Sequence, residues 1–374
     1  MDLFDINEIR ELFLNSCLVN GQLMPLQQIE SMGWKEFSIR SKLNMPKRLY
    51  KYFSNLETKK GDDTVVNYSQ QALLNNTVFL QTPTEFDDVY DSDITLDRGE
   101  YERLRLVEYC RRCGISVNDK ATNQEAGDAL VQALWPFYQS NGLIKAFVCT
   151  PEGELEKFAN QAFCLTIQVK CQSAQSFGEA VSQAIADEYQ QYVEYLKTIF
   201  RTACFATTPY SQLMWGAGYA DQHRGFCVEY TVLSQDPAYQ DVYLNLFPMI
   251  YCKTRPDVTT RIVKAKDKVY SDDVLWDIYF HGALRKSIDW AYQNEWRLLL
   301  PLGKNKADYN VKFFPITKVF LGNRMTETNR ESIIDICKSK GIPYVGVTRN
   351  PLLFEMQDCE GKCENCSKNT SKQR

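Results

Sequence analysis

The order in which strand-like and helix-like patterns follow one another is the feature that most constrains the fold of this chain. Runs typical of strands cluster around residues 47–81 and again in residues 202–347. Residues 97–200, which separate them, carry apolar residues at three- and four-residue spacing. Strands and helices therefore do not alternate as they would in a doubly wound α/β fold. The sequence predicts an α+β protein with a split, mainly antiparallel sheet core and a large helical insertion.

The same order predicts where the segments of the chain begin and end. Residues 1–45 have a helical pattern and are expected to form an appendage that packs on the core or binds a partner. Residues 46–350 form the α+β core, with the helical insertion at about 97–200. Residues 351–374 are a polar tail that contains cysteines. Within the core we expect a helix over 274–290 and a strand over 295–300.

Composition narrows the class of protein. The chain has 374 residues, of which 44% are hydrophobic, and its formal net charge is −4, so no broad basic surface for non-specific nucleic-acid binding is expected. The 13 cysteines are an odd number scattered along the chain, which suits a reducing compartment. No stretch reaches the roughly 18–20 apolar residues of a membrane span, and the acidic start lacks the pattern of a secretory signal. We therefore expect a cytoplasmic protein that does not bind membranes.

Five segments of the chain together resemble a known bacterial family. They are Leu-Tyr-Lys-Tyr at 49–52, Thr-Val-Phe-Leu-Gln-Thr-Pro-Thr-Glu-Phe-Asp-Asp at 77–88, Cys-Phe-Ala at 204–206, Met-Trp-Gly-Ala-Gly-Tyr-Ala-Asp-Gln-His-Arg-Gly-Phe-Cys-Val-Glu-Tyr at 214–230 and Asn-Glu-Trp-Arg-Leu at 294–298. The sequence resembles the family catalogued as domain of unknown function 2971 over roughly residues 46–325. It departs from the family pattern at Lys51, Val89 and Ala206, where that pattern usually has Arg, Pro and Ser. The family label implies no activity by itself.

A looser resemblance links three short elements to ADP-ribosyltransferases. These enzymes carry a basic residue on an early strand, a hydroxylated pair after a middle strand and Gln-x-Glu or Glu-x-Glu at a late strand. The elements of this chain in the same order are Arg48 or Lys51, then Thr207 with Thr208, then Gln293-Asn294-Glu295. The resemblance implies a nicotinamide dinucleotide (NAD) as substrate. The common phosphate-binding loops, GxGxxG after a strand and GxxxxGK[ST], do not occur.

The chemistry of that reaction gives each candidate residue a role. A fixed carboxylate at Glu295 would stabilise the oxocarbenium-like transition state formed when a glycosidic bond breaks. Alternation along a strand would put Gln293 on the same face, where it would orient the nucleophile. Lys51 or Arg48 would hold the pyrophosphate. The remaining candidates for contacts with the dinucleotide are Tyr50, Tyr52, Thr207, Thr208, Trp215 and His223.

Other interpretations of the same residues stay open at the level of sequence. One makes Glu295 and Arg297 a surface ion pair, His223 a turn residue, and Trp215, Tyr219 and Trp296 core residues. We expect an ADP-ribosyltransferase-like enzyme, with a protein or nucleic-acid acceptor and a role as bacterial toxin or phage-defence effector. The alternatives are a non-catalytic nucleotide- or partner-binding module, and a metal-dependent nuclease-like effector. The nuclease would use the acidic loop at 87–93, which contains Asp87, Asp88, Asp91 and Asp93.

The cysteines of the tail suggest a metal site. Cys359, Cys363 and Cys366 are separated by three and two residues, and Cys110 and Cys113 form a second close pair. Thiolates are ligands that Zn²⁺ prefers, so a structural zinc is one expectation. Thiols without metal are the other. Cys204 and Cys227 lie in apolar strand-like runs, where a thiolate is disfavoured, and we do not expect them to be nucleophiles.

Overall fold

The computed structural model describes residues 5–61, 63–93, 95–141, 144–146, 165–167, 170–255, 257–264, 272–301 and 309–359. The chain divides into two compact units. The first consists of Met1–Asp87, Phe200–Thr254 and Lys286–Arg374, and the second of Asp88–Ile199 and Arg255–Arg285. The second unit therefore joins most of the 97–200 segment to residues 255–285, which the sequence alone assigns to the core.

Helices occur in both units. The α-helices are α1 (Ile6–Leu14), α2 (Leu26–Leu43), α3 (Tyr68–Asn75), α4 (Arg98–Arg112), α5 (Asn123–Asn141), α6 (Ala174–Leu196), α7 (Gln212–Gly216), α8 (Gln240–Leu244), α9 (Thr259–Lys264), α10 (Asp272–His281) and α11 (Glu327–Lys340). Short 3₁₀-helices cover Pro83–Glu85, Gly218–Ala220, Pro237–Tyr239 and Ile288–Gln293. None of the described helices is long and apolar enough to cross a membrane.

The strands form several small sheets, most of whose pairs are antiparallel. The strands are β1 (Ser16–Val19), β2 (Gln22–Pro25), β3 (Arg48–Phe53), β4 (Thr58–Lys59), β5 (Val65–Val66), β6 (Thr77–Phe79), β7 (Ile144–Ala146), β8 (Leu165–Ile167), β9 (Phe200–Phe205), β10 (Phe226–Thr231), β11 (Leu246–Pro248), β12 (Ile250–Cys252), β13 (Arg285–Ser287), β14 (Trp296–Pro301), β15 (Asn310–Lys312), β16 (Ile316–Leu321), β17 (Tyr344–Arg349) and β18 (Met356–Asp358). The larger sheets have the orders β18-β17-β16-β10-β3, β13-β12-β1-β2 and β11-β14-β9. β16 and β17 are a parallel pair, whereas β10 pairs antiparallel with both β3 and β16. The predicted α+β class with a split, mainly antiparallel sheet is confirmed.

Local sequence explains where several helices begin and end. Thr326 caps the first turn of α11 by accepting from the backbone N–H of Asn329, and Gly341 ends the helix in the left-handed conformation. At α6 the capping box of Ser173 and Ser176 satisfies N–H groups of the first turn. Such capping residues mark the ends of helices, which hydrophobic periodicity alone does not locate.

The core of the first unit lies between its sheets. Leu49 of β3, Val228 of β10, Phe205 of β9 and Leu298 of β14 are buried together in one apolar cluster, with Ile333 of α11 packed in it. A main-chain bridge between Tyr50 and Ala206 joins β3 to the end of β9. This junction brings the end of β9 close to β3, and the candidate site is built beside it.

In the second unit, a buried network fixes the helices. The carboxylate of Glu188 in α6 pairs with the guanidinium of Arg105 in α4 and accepts from the hydroxyls of Tyr101 (2.7 Å) and Tyr109 (2.6 Å). Burying a charge is costly unless it is paired and hydrogen-bonded, and here the carboxylate has three partners. The network therefore holds α4 against α6.

Two predicted elements are wrong in part. The helix expected over 274–290 ends at His281, because Gly282 follows it and the chain then enters β13 and a 3₁₀-helix. Residues 1–45 are not wholly helical, since β1 and β2 form a hairpin that pairs with β12. Its turn consists of Asn20 and Gly21, both with positive φ, which is a strong hairpin signal.

Candidate functional site

Several ionisable and polar side chains of the first unit meet in a buried group, which we call the charged cluster. Its members are Lys51, Lys286, Gln293, Glu295 and Arg297. The side chains of Lys286, Glu295 and Arg297 are 7%, 5% and 0% exposed. Charged groups are rarely buried to this extent unless they are paired, so the pairing in this cluster determines what it can do.

The carboxylate of Glu295 is held by two cations. Oε1 accepts from Nε of Arg297 at 2.8 Å, and Oε2 lies 3.3 Å from Nζ of Lys286. Nζ of Lys286 also donates to Oε1 of Gln293 at 3.0 Å. One ammonium thus joins the two residues of the Gln-x-Glu motif.

Lys51 enters the cluster from β3. Its ammonium donates to the carbonyl of Cys204 at 3.3 Å and lies 5.4 Å from the centre of the Phe205 ring. Burial lowers the pKa of Lys51, while the negative charge of Glu295 acts in the opposite direction. Lys51 and Glu295 therefore interact electrostatically.

The backbone before β14 places Gln293 and Glu295. The 3₁₀-helix Ile288–Gln293 starts at Ser287, whose hydroxyl accepts from the N–H of Asp289, and it ends at Asn294 with φ 40° and ψ 56°. Nδ2 of Asn294 donates to Oγ1 of Thr207 at 2.6 Å and holds this turn. β14 begins only at Trp296, so the prediction that strand alternation aligns Gln293 with Glu295 is wrong. The left-handed turn and Lys286 bring them together instead.

Tyr219 connects the charged cluster to the surface. Its hydroxyl accepts from Nε2 of Gln293 at 2.6 Å, while the residue as a whole is 39% exposed. Burial of the hydroxyl raises the pKa of Tyr219 to about 12, so the phenol is neutral at physiological pH. Tyr219 is thus an exposed partner of the buried Gln293.

Two further groups border Glu295. The hydroxyl of Tyr251 accepts from the backbone N–H of Glu295 at 2.8 Å. Burial, reinforced by Glu295, raises the pKa of the Cys204 thiol to about 12. A thiol with so high a pKa is a poor nucleophile, as the sequence predicts for Cys204.

Four of the aromatic and imidazole candidates lie on the other face of β3. Tyr50 and Tyr52 alternate with Lys51 along the strand, so their side chains point away from the charged cluster. The Tyr52 ring meets Trp215 edge-on at 5.3 Å, and Trp215 stacks on His223 at 6.2 Å. Trp215 is fully buried and its indole N–H donates to the carbonyl of Pro209 at 2.7 Å. The candidate residues thus form two groups, and the aromatic group is packed as core.

His223 and Thr208 make mainly backbone contacts. His223 adopts φ 70°, its N–H donates to the carbonyl of Trp215 at 2.9 Å, and its own carbonyl accepts from Arg324. Burial lowers the pKa of the His223 imidazole, and Nδ1 has no hydrogen-bond partner within the described parts of the chain. The carbonyl of Thr208 accepts from the hydroxyl of Tyr52 at 2.9 Å.

Arg48 lies on the same face of β3 as the tyrosines. Its side chain is 62% exposed, and Nη1 lies 3.4 Å from Oε2 of the buried Glu229. The hydroxyls of Tyr50 and Thr317 donate to the same carboxylate at 3.0 and 2.8 Å. Of the two basic residues predicted on this strand, only Lys51 therefore reaches the charged cluster.

The family comparison bears on this site directly. Residues 214–298 match the family described as protein of unknown function (DUF2971). The resemblance noted in the sequence is confirmed over these residues, which are fewer than the 46–325 of the predicted range. The chain matched no curated protein and no solved structure. The DUF2971 region contains Lys286, Gln293, Glu295 and Arg297, whereas Lys51 lies before it.

Sequence reasoning missed part of the cluster in the DUF2971 region. Lys286 lies seven residues before Gln293, and only the 3₁₀-helix between them brings its ammonium back to the motif. Arg297 was expected at most as the partner of Glu295 in a surface ion pair, yet both residues are buried. The signal in the sequence was its position two residues after Glu295, which puts the two side chains on the same face of the strand predicted over 295–300.

In the described structure, the carboxylates of the acidic loop at 87–93 do not converge to form a metal site. Asp93 forms ion pairs with Lys197 and Arg255, and the Asp91 carboxylate accepts from Ser92. Within the described ranges, no group of three or more His, Cys, Asp or Glu side chains is arranged to hold a metal ion. The nuclease alternative stays a prediction without this support.

The cysteine predictions are only partly covered by the described residues. Cys359 is buried next to β18, where its N–H donates to the carbonyl of Gly346, whereas Cys363 and Cys366 lie outside the described residues. Burial raises the pKa of the Cys110 thiol to about 11 and also raises that of Cys113. The predicted zinc at the tail stays a prediction.

Proposed function

We propose that this protein is an ADP-ribosyltransferase-like enzyme that acts on a nicotinamide dinucleotide. The observation that carries the proposal is the ammonium of Lys286, which holds Gln293 and Glu295 together in a buried cluster. The ammonium of Lys51 lies beside this cluster, since it donates to the carbonyl of Cys204, the residue that pairs with Arg297 across β9 and β14. Lys51 is distant in the sequence from Gln293 and Glu295, and these residues correspond to two of the three elements of the resemblance.

Glu295 would supply the electrostatic part of the reaction. The bond between ribose C1′ and the pyridinium nitrogen breaks, its electron pair goes to that nitrogen, and neutral nicotinamide leaves. The acceptor's nucleophile then bonds to C1′, and the proton that it loses passes to the solvent. A preorganised carboxylate in a water-poor site stabilises the positive charge that develops on the ribose, and the pairing with Arg297 and Lys286 holds the carboxylate in place.

Lys51 and Lys286 would contact the anionic part of the dinucleotide. Ammonium groups pair with phosphate oxygens as point charges, and a low-dielectric setting strengthens the pairing. When phosphate draws Lys286 towards itself, Oε2 of Glu295 loses one of its two cationic partners and becomes more available to the ribose. Gln293, held from the other side by Tyr219, would orient the acceptor.

A second candidate function is favoured by the same pairing. Both carboxylate oxygens of Glu295 are engaged and the side chain is 5% exposed, which suits a binding module whose charges recognise a nucleotide without cleaving it. Such a module would bind the dinucleotide and release it intact.

Incubation of the full chain with dinucleotide labelled in its adenylate half, with and without a cell lysate, separates these functions. The transferase predicts nicotinamide release and transfer of label to a macromolecule, and the acceptor's sensitivity to protease or nuclease identifies its class. Saturable binding without release of nicotinamide would support the module. If the dinucleotide is not bound and nicotinamide is not released, both functions are contradicted.

A role as bacterial toxin or phage-defence effector belongs to the same proposal. Transfer of ADP-ribose to an essential macromolecule would arrest growth. Induced expression of the wild type in a bacterium should then slow growth, while Glu295→Gln expressed to the same level should not. Equal growth of both cultures with the wild type present in soluble form would contradict this role.

A further inference from the structure

We infer that the first unit contains a second binding site, which takes a planar, uncharged aromatic molecule of one or two fused rings. The site is a cavity formed by α2, the β1–β2 hairpin and the ring of Trp296. The inference does not depend on the proposed function, because neither the ligand nor the lining residues belong to the charged cluster.

The cavity has the size and the lining of an aromatic site. Its volume is about 140 Å³, and its apolar walls are made by Val19, Met24, Ile29, Met32, Phe37 and Trp296. An apolar cavity of about 150 Å³ is large enough to hold a benzene ring. Ile29, Phe37 and Trp296 are almost fully buried, so the floor of the cavity is part of the packed core.

The side chains around the cavity favour a flat ring over an aliphatic chain. Trp296 and Phe37 offer aromatic surfaces against which a ring packs offset or edge-on. Met24 and Met32 are flexible, polarizable side chains that make favourable contacts between sulfur and ring edges. Both methionines are only partly buried, so they line the cavity where it approaches the surface.

The scarcity of charge among the walls favours an uncharged ligand. Among the described residues that line the cavity, Arg40 is the one that is ionisable, and its guanidinium is already paired with Glu36 at 2.6 Å. The other polar lining residues are amides and a hydroxyl, which suit a single N–H or O–H of the ligand at the rim.

The walls are held in place by side-chain hydrogen bonds. Nε1 of Trp296 donates to Oδ1 of Asn20 at 3.2 Å, and Nδ2 of Asn20 donates to the carbonyl of Asn44 at 3.3 Å. Asn20 has φ 50° in the hairpin turn, and Asn44 caps the end of α2. The indole, the hairpin and the helix end are thus fixed to one another, so the cavity is preformed.

The cavity is distinct from the charged cluster. Trp296 and Arg297 are consecutive residues of β14, so their side chains point to opposite faces of the strand. A ligand behind Trp296 therefore does not compete with one that contacts Arg297.

Titration calorimetry of the full chain with indole tests the inference, with phenol and acridine as smaller and larger rings. We expect saturable binding of one indole per chain, binding of phenol, and clearly weaker binding of three-ring acridine, because the volume of about 140 Å³ is close to that of a cavity that holds a benzene ring. No saturable indole binding, or equal binding of acridine, would overturn the inference whatever the variants do.

Two variants that fill the cavity locate the site. Met32→Trp places an indole within it, and the expected loss of indole affinity is at least about tenfold. Ser31→Trp adds the same side chain at the exposed neighbouring position and should leave the affinity within about twofold. Val19→Phe fills the cavity from the hairpin and gives an independent second test. Undiminished indole binding in a folded filled variant would mean that the ligand sits elsewhere and would overturn the assignment.

Discussion

Nζ of Lys286 lies 3.3 Å from Oε2 of Glu295 in a part of the first unit where both side chains are at most 7% exposed. The same ammonium is 3.0 Å from Oε1 of Gln293, so it sets the positions of both residues before any ligand arrives. Preorganised charge of this kind is what stabilises a developing cation most effectively. If the cluster served only stability, replacing its members would destabilise the protein and leave the activity of the folded molecules unchanged.

Removing Arg297 should destabilise the protein strongly. The variant Arg297→Ala leaves the buried carboxylate of Glu295 with one fewer cation, and breaking a buried pair in this way costs about 3–5 kcal/mol of unfolding free energy. Arg261→Ala, which breaks the more exposed pair with Asp277, should cost under about 1 kcal/mol. Urea denaturation of both variants checks this. Losses of similar small size would mean that Arg297 and Glu295 behave as a surface ion pair.

Lys51 should matter for dinucleotide binding more than Arg48 does. Lys51 reaches the charged cluster, while Arg48 is exposed on the other face of β3 beside Glu229. We expect Lys51→Ala to weaken binding by about tenfold or more and Arg48→Ala to change it little, since charge-assisted contacts to phosphate contribute about 1.5–3 kcal/mol. Lys51→Arg should retain binding. Wild-type affinity in both alanine variants, measured by calorimetry, would show that β3 does not hold the dinucleotide.

Gly225, in the turn before β10, should not tolerate a side chain. A Cβ there would lie 1.9 Å from the carbonyl oxygen of Phe53, and neither backbone can move without disturbing the β3–β10 pair. Gly225→Ala should therefore lower the unfolding free energy by about 1–3 kcal/mol or more. Gly216→Ala meets nothing within 4 Å and should stay within about 1 kcal/mol of the wild type. Equal melting temperatures for the two variants would contradict the close approach.

Lys42 should make stability depend on pH above neutrality. Its ammonium lies 4.2 Å from the centre of the Phe247 ring, and burial lowers the pKa of Lys42 to about 7 from 10.5. Between these values the unfolded chain binds a proton that the folded chain does not, so this residue's contribution makes the protein more stable as the pH rises. Below pH 7 the amine is charged in both states and the cost of burying it is complete.

The variant Lys42→Met isolates this contribution. The unfolding free energy of the wild type minus that of Lys42→Met should rise between about pH 7 and pH 10. Lys312→Met, which removes an exposed lysine of β15, is the control and should give a difference that does not rise. If the difference between the wild type and Lys42→Met does not change with pH, burial does not lower the pKa of Lys42 in the folded protein.

The fold class could be predicted from the sequence because the order of periodic patterns decides it. The hairpin of β1 and β2 was missed because the helical spacing of Ile6 and Ile9 outweighed the short Asn20-Gly21 turn. The helix expected to run through residue 290 stops at His281, because sheet pairing and a 3₁₀-helix determine the conformation of residues 285–293. Tertiary context overrides local propensity at such places.

The candidate site could be predicted only in part. Glu295, Gln293 and Lys51 were found through a motif and a strand pattern, and the structure brings them together. Lys286 was not found, because no local pattern indicates that a lysine nine residues before Glu295 will face it. That Tyr52 packs with Trp215 on the face of β3 opposite Lys51 could have been predicted, because successive side chains of a strand point to opposite faces.

The most direct test of the central claim is the rate of nicotinamide release by Glu295→Gln. Loss of the carboxylate should lower the rate by about 10²–10³-fold or more while dinucleotide binding persists, because the charge acts chiefly on the transition state. Glu188→Gln is the matched control, since Glu188 is equally buried and paired with an arginine but lies in the second unit. With rates expressed per folded molecule by circular dichroism, the control should keep wild-type turnover. Wild-type turnover by folded Glu295→Gln would instead show that Glu295 is structural and would contradict the proposed function.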